Sequence, residues 1–88
     1  MQKYLVIFEK TQSGYSAYVP DLPGCISEGK NKEETEKNIY EAIKFHIEGM
    51  IEEGLSIPES RSESELIIFP DLLIRSENKK IAKRAIKA

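Results

Sequence analysis

Residues 15–31 read YSAYVPDLPGCISEGKN. This stretch decides the fold, because it ends one strand, builds a tight turn, opens another strand and closes on a helix cap. Tyr15, Ala17 and Val19 alternate with Ser16 and Tyr18, the period of a strand. Pro20 and Pro23 fix φ and have no amide to donate, so the strand cannot run on. Pro23-Gly24 is a turn pair: proline presets the second turn position and glycine accepts the positive φ of the third. Asp21 stands where turn carboxylates bond nearby backbone amides. Residues 25–28 are expected to form a short strand that Gly29 breaks. Asn31 is a helix N-cap, with Glu34 at the capping-box spacing.

Working outward from this stretch, residues 3–9 form an earlier strand, with Tyr4, Val6 and Phe8 on one face and Leu5 and Ile7 on the other. Both faces are apolar, as in a strand buried on two sides. Residues 10–14 connect it to the next strand as a hairpin, with Gly14 able to take a positive φ. On the C-terminal side the spacing predicts a helix over 32–53, opened by Glu33, Glu34 and Glu36 at the positive end of its dipole and closed by Gly54. Ile39, Ile43, Ile47 and Met50 share one face at ~100° per residue. Tyr40 and Ile51 flank that face on one side and Ala42 on the other, while Glu41, Lys44, Glu48 and Glu52 lie opposite. A loop over 56–64 leads to a fourth strand over 65–69 (ELIIF), stopped by Pro70. Residues 71–74 extend it as a possible edge. Ser76 caps a short basic helix with a narrow stripe of Ile81, Ala82, Ala85 and Ile86. The expected architecture is α+β in two layers: an antiparallel three-stranded meander, one long helix on one face, a fourth strand returning to the sheet, and a short basic helix or tail. Residues 1–70 make the domain and 71–88 the tail, which serves oligomerisation or a partner contact.

The chain has 88 residues, 40% hydrophobic and 32% charged, with one cysteine. That is the size of one domain, and it leaves no partner for an internal disulfide. No run approaches the ~18 apolar residues of a membrane span, and the opening MQKYLVIFEK lacks a signal-peptide pattern. The expected location is therefore the cytoplasm. The net charge of −2 is unevenly placed: residues 75–88 sum to +5 and residues 1–74 to −7. An acidic body repels a phosphate backbone and suits a basic protein partner. A domain this small, with an uncovered sheet face or edge, is expected to pair into a homodimer or homotetramer.

Taken together, Gly14-Tyr15, the Pro20 to Cys25 turn, Gly29, Glu33-Glu34, Glu41-Ala42, Gly54 and Ile57-Pro58 resemble the HicB-like antitoxin family. The resemblance covers roughly residues 3–69. It implies a degenerate ribonuclease-H-like sheet and the antitoxin of a type II toxin–antitoxin pair. The implied partner is a HicA-type toxin, a small basic ribonuclease that cuts mRNA through a histidine and whose site the antitoxin covers. Many members add a C-terminal DNA-binding and dimerising module. Here only nineteen residues follow Phe69, too few for a full helix-turn-helix, so direct DNA binding is not expected to carry over, although the basic tail could touch phosphate when paired in a dimer.

The remaining question is whether any residue does chemistry. A ribonuclease-H-like nuclease needs clustered carboxylates around Mg²⁺. Glu9, Asp21, Glu28 and Asp71 are the candidates, and no spacing forces them together. His46 stands alone near the edge of the apolar helix stripe and reads as packing. Cys25, with no cation beside it, reads as a small core residue. No glycine-rich phosphate loop is present. Phe45 differs: it falls among Glu41, Glu48 and Glu52 on the polar face, as an anchor for a basic partner would. The leading expectation is a binding module without catalysis, cofactor or metal. Its contact residues are Glu41, Phe45, Glu48 and Glu52, and Pro20, Asp21, Pro23 and Gly24 form the structural turn. Two alternatives stay open: a stand-alone homo-oligomeric domain with an unknown ligand, and a degenerate metal-dependent nuclease.

Overall fold

The alternating residues on either side of Gly14 close into an antiparallel hairpin. In a computed structural model, which describes residues 2–71, β1 (Ile7–Lys10) pairs with β2 (Tyr15–Tyr18) through Ile7–Tyr18, Phe8–Ala17, Glu9–Ser16 and Lys10–Tyr15. β3 (Ile26–Gly29) pairs antiparallel with β2 through Tyr18–Ile26, Ala17–Ser27, Ser16–Glu28 and Tyr15–Gly29. The sheet order is β1-β2-β3, the expected meander.

The first strand is shorter than residues 3–9. Residues opposite 3–6 would be 19–22, and there Pro20 has no amide and the chain turns, with the Leu22 amide donating to the Val19 carbonyl at 3.0 Å. A ladder needs donors on both strands, so it starts at Ile7. Nor is β1 buried on two sides: Tyr4, Leu5, Val6, Ile7 and Phe8 are all half-buried, because β1 is an edge strand and one sheet face is open.

Gly14 closes the hairpin, with the Thr11 amide donating to its carbonyl at 2.8 Å. Its φ is not positive, contrary to expectation; only Gly24 (φ +83°) and Gly54 (φ +71°) are left-handed among the described residues. Gly14 is needed for space instead. A Cβ there would overlap the Gly29 carbonyl oxygen and stand 2.9 Å from the Lys30 Cα. Gly29 is equally constrained, since its own Cβ would meet the Thr35 amide nitrogen at 2.7 Å. The two glycines thus bring hairpin, third strand and helix start into backbone contact.

The proline turn behaves as its residues dictate. The Cys25 amide donates to the Leu22 carbonyl at 3.0 Å across Pro23-Gly24, and the Val19 amide donates to the Cys25 carbonyl at 3.2 Å. Leu22, between the prolines, is 0% exposed and joins Ala17, Val19, Cys25 and Ile39 as the core. A loop residue thereby plugs the end of the sheet.

The helix α1 (Lys32–Glu52) is capped as expected: the Glu34 amide donates to Asn31 Oδ1 at 2.7 Å. Its C-terminus is a Schellman motif, with Gly54 N–H donating to the Ile51 carbonyl and Leu55 N–H to the Met50 carbonyl. Thr35, not marked by the apolar pattern, is fully buried; its hydroxyl donates to the Asn31 carbonyl at 2.8 Å, which satisfies it there. Burial then declines along the helix. Ile39 is buried, Ala42, Ile43, Ile47 and Met50 are half-buried, and Ile51 is 60% exposed. The 21-residue helix is about 32 Å long at 1.5 Å per residue, whereas a four-residue strand spans about 13 Å. Its C-terminal half overhangs the sheet.

The fourth strand expected over 65–69 is not a strand in this chain. Residues 65–69 are exposed and pair with no strand among the described residues, with Leu66 at 97% and Ile68 at 93%. A strand is not a local structure; it forms only where a neighbouring edge accepts it, and this segment stands off from its own sheet. The expected basic helix from Ser76, its apolar stripe and residues 72–74 lie outside the described residues.

Gly14→Ala is expected to lower stability by roughly 1–3 kcal/mol, as overpacking does. Gly49→Ala, in the helix interior where a Cβ meets open space, should raise it by about 0.5–1 kcal/mol. Urea denaturation of both variants checks the pair; equal effects would contradict the close approach at Gly14.

Candidate functional site

The helix turns Glu41, Phe45 and Glu48 onto one outer face, since residues three and four apart are neighbours there. Phe45 is 80% exposed. With Glu41, Lys44 and Glu48 it lines a shallow depression of about 160 Å³. Glu52, one turn on, continues the exposed acidic edge without lining the depression. Lys44 makes the surround mixed in sign rather than a pure ring of carboxylates. Such a surface can stack a guanidinium or a lysine stem on the ring while the carboxylates take the charge.

A second surface escaped the sequence reading. The strand register aligns Ile7, Tyr18 and Ile26 in one row across the sheet. The row lies opposite the helix-facing set Phe8, Ala17 and Val19, because side chains alternate between faces. Tyr18 is 36% and Ile26 69% exposed. The next row on the same face is Glu9, Ser16 and Glu28. An apolar row beside a carboxylate row is thus presented on the open face. The period-2 pattern contained this signal: Ser16 and Tyr18 had to face away from the core.

The register also separates two carboxylates considered for a metal. Glu9 and Glu28 lie two strand spacings apart, about 10 Å between backbones, with Ser16 between them. Among the described residues no three His, Cys, Asp or Glu side chains form a group able to hold a metal ion. Asp21 is fully engaged elsewhere. Its Oδ2 accepts from the backbone amides of Arg61 at 2.8 Å and Ser62 at 2.9 Å, and its Oδ1 accepts from the Ser62 hydroxyl at 2.9 Å. The bond type is the expected one, but the donors come from some forty residues away rather than from the turn. These bonds, the Ser62 amide first and the Arg61 amide next, hold the Asp21 carboxyl below its ordinary range against a smaller desolvation. The Tyr4 hydroxyl adds a second tie by donating to the Pro58 carbonyl. Together they strap residues 58–62 across the end of the sheet.

Cys25 is 3% exposed, and burial pushes its thiol above the ordinary value, so it is a core residue and no nucleophile. His46 is half-buried on the helix. Pro20, Asp21, Pro23 and Gly24 are brought together by the turn. What the arrangement offers is surface for contact.

Comparison with known proteins points the same way. The profile of a family described as "HicB_like antitoxin of bacterial toxin-antitoxin system" matches residues 4–73. An uncharacterised 14.9 kDa protein from the rep–hol intergenic region of Haemophilus phage HP1 is 43% identical over 68 residues, 77% of this chain and 51% of that protein. The chain thus spans about half the length of that relative. A UPF0150 protein of Thermoplasma acidophilum is 44% identical over 62 residues, 69% of this chain and 90% of the relative. Among solved structures, a chain of the HicA3 and HicB3 toxin–antitoxin complex matches with a TM-score of 0.60 at 33% identity, over 68% of this chain and 70% of that one. The crystal structure of antitoxin HicB3 matches with a TM-score of 0.53 at 23% identity, covering 93% of this chain and 84% of that one. At that identity the likeness is one of fold.

Because the folded Asp21 carboxyl titrates below its unfolded value, the strap is complete above the ordinary carboxylate range and is lost as pH falls through the lowered value. Amide-exchange protection at Arg61 and Ser62, corrected for intrinsic rates, should fall on acidification. In Asp21→Ala it should be absent at every pH. Unchanged protection in that variant would contradict the assignment.

Proposed function

We propose that this chain, which belongs to the family of HicB-like antitoxins of bacterial toxin–antitoxin systems, binds a HicA-type mRNA-cleaving toxin and masks its active site. The observation that carries this reading is the family match over residues 4–73. The likeness at 33% identity to a chain of a HicA3 and HicB3 complex supports it. Residues 1–74 sum to −7, and such a field speeds encounter with a basic partner and selects against wrong ones. Phe45 is the anchor, with Glu41, Glu48 and Glu52 around it. The row of Ile7, Tyr18 and Ile26, on the opposite side of the molecule, is a separate apolar surface that a second partner or copy could cover.

The mechanism is mass action. Masking lowers the free nuclease as long as antitoxin exceeds toxin, and loss of antitoxin releases it. The chain acts by contact, as a binding protein rather than an enzyme, in the cytoplasm where mRNA is met. Residues 1–70 form the binding domain, and the basic tail 71–88 contacts a partner or another copy in a homodimer or homotetramer.

Co-expression with a HicA-type toxin, the product of the neighbouring open reading frame being the first to try, followed by pull-down and a growth assay, tests the proposal. The expected result is a stable complex that rescues growth. Phe45→Ala should weaken it by roughly tenfold or more, as loss of an aromatic anchor does, with melting unchanged. Equal affinity would remove the helix face from the interface. Absence of any complex would favour a stand-alone homo-oligomeric domain.

A further inference from the structure

Among the described residues, the structure holds a strand-forming sequence outside any sheet and a sheet edge that no strand covers. The first is the segment 65–69, Glu-Leu-Ile-Ile-Phe, which Pro70 ends. Leu66 is 97% exposed, Ile67 69%, Ile68 93% and Phe69 54%. Four consecutive large apolar side chains in water are not a stable end state for a folded chain. The second is β1, whose outer edge pairs with no strand among the described residues. Such an edge presents a row of open amides and carbonyls, a template for another strand.

Beside that edge lies an open groove of about 440 Å³ between β1 and the helix, lined by Tyr4, Val6, Phe8, Ile39, Tyr40 and Ile43. It exists because the helix packs over β2 and β3 and covers β1 little. A strand laid along β1 would roof it.

The two parts match in three ways. β1 and the residues before it are apolar on both faces, Tyr4, Val6 and Phe8 on one and Leu5 and Ile7 on the other. The segment is apolar on both faces too, Leu66 and Ile68 against Ile67 and Phe69. A one-residue shift therefore leaves apolar side chains on both sides, unlike the usual half-polar strand. Charge matches in net sign: residues 63–71 carry three acids and no base, while at the edge and groove rim Lys3, Lys10 and Lys32, the last 5.3 Å from the Phe8 ring centroid, outnumber Glu9 and Glu36. Finally, the segment stands clear of its own groove although the strap ends at Ser62, only two residues before it.

We infer that residues 65–69 of one copy add as a strand to the β1 edge of a second copy, and the reverse, so that two chains complete each other's sheets and grooves. A reciprocal exchange is isologous and closes on itself, so it stops at the dimer. The strap at Asp21 fixes where the exchanged arm leaves the body. The inference concerns the chain alone and stands apart from toxin binding.

The test uses the full chain without any partner protein. Sedimentation should show a dimer. The double variant Leu66→Lys/Ile68→Lys, whose side chains are exposed within one chain and so leave its fold intact by circular dichroism, should weaken dimerisation by roughly 100-fold or more, as charge at a desolvated apolar anchor does. Mixing a tagged Val6→Cys chain with an untagged Ile68→Cys chain under mild oxidation should give a cross-linked pair between different chains. A monomer throughout the micromolar range would overturn the inference, as would a dimer that survives the double variant. So would a Val6→Cys/Ile68→Cys chain that cross-links only within itself, since the strand would then be serving its own edge.

Discussion

A helix of 21 residues rests on strands of four, and that mismatch of length governs the molecule. The N-terminal half of the helix has a sheet beneath it and supplies Thr35 and Ile39 to the core. The other half runs past the four-residue strands, and there Ile47 and Met50 are half-buried and Ile51 is exposed. Burial of apolar area is the main favourable term in folding, and a domain of this size has little of it to spend. The core is accordingly small: Ala17, Val19, Leu22, Cys25 and Ile39. What remains apolar is on the outside, at the open sheet face, the β1 groove and the arm after Ser62. Among the described residues this apolar surface is exposed, and exposed apolar patches suit contact with other chains.

Close packing at one corner makes the small core sufficient. Gly14 lies against the Gly29 carbonyl, and Gly29 against Thr35. Three segments distant in sequence meet there by backbone, where side chains would hold them apart. At the opposite end of the sheet, Leu22 plugs the core from within a turn, and Asp21 in the same turn holds residues 61 and 62. One six-residue turn thus seals the core with an apolar side chain and anchors the C-terminal segment with a polar one.

How much of this was legible in the sequence follows from how local each feature is. The hairpin, the Pro23-Gly24 turn and the Asn31 cap are written in neighbouring residues, so alternation, φ preference and capping spacing located them. The exposure of Phe45 was visible for the same reason, as a departure from helical periodicity, and Lys44 shares its face by the same spacing; the depression itself depends on side-chain packing. Non-local features were harder. Gly14 looked like a residue chosen for φ, but its role depends on Gly29, which pairing brings alongside. Thr35 is polar by type and buried because the sheet approaches there and the Asn31 carbonyl accepts its hydroxyl. The donors to Asp21 lie some forty residues away. The segment 65–69 has the composition of a strand and no edge of its own to join, since strand propensity states what a residue tolerates and the partner decides the outcome.

The measurement that bears most directly on the antitoxin reading is RNA cleavage by a purified HicA-type toxin, titrated with the chain itself. The account predicts that cleavage stops when the two proteins reach a fixed stoichiometry, with no further loss on adding more chain. Cleavage that continues undiminished with the chain in large excess would contradict it.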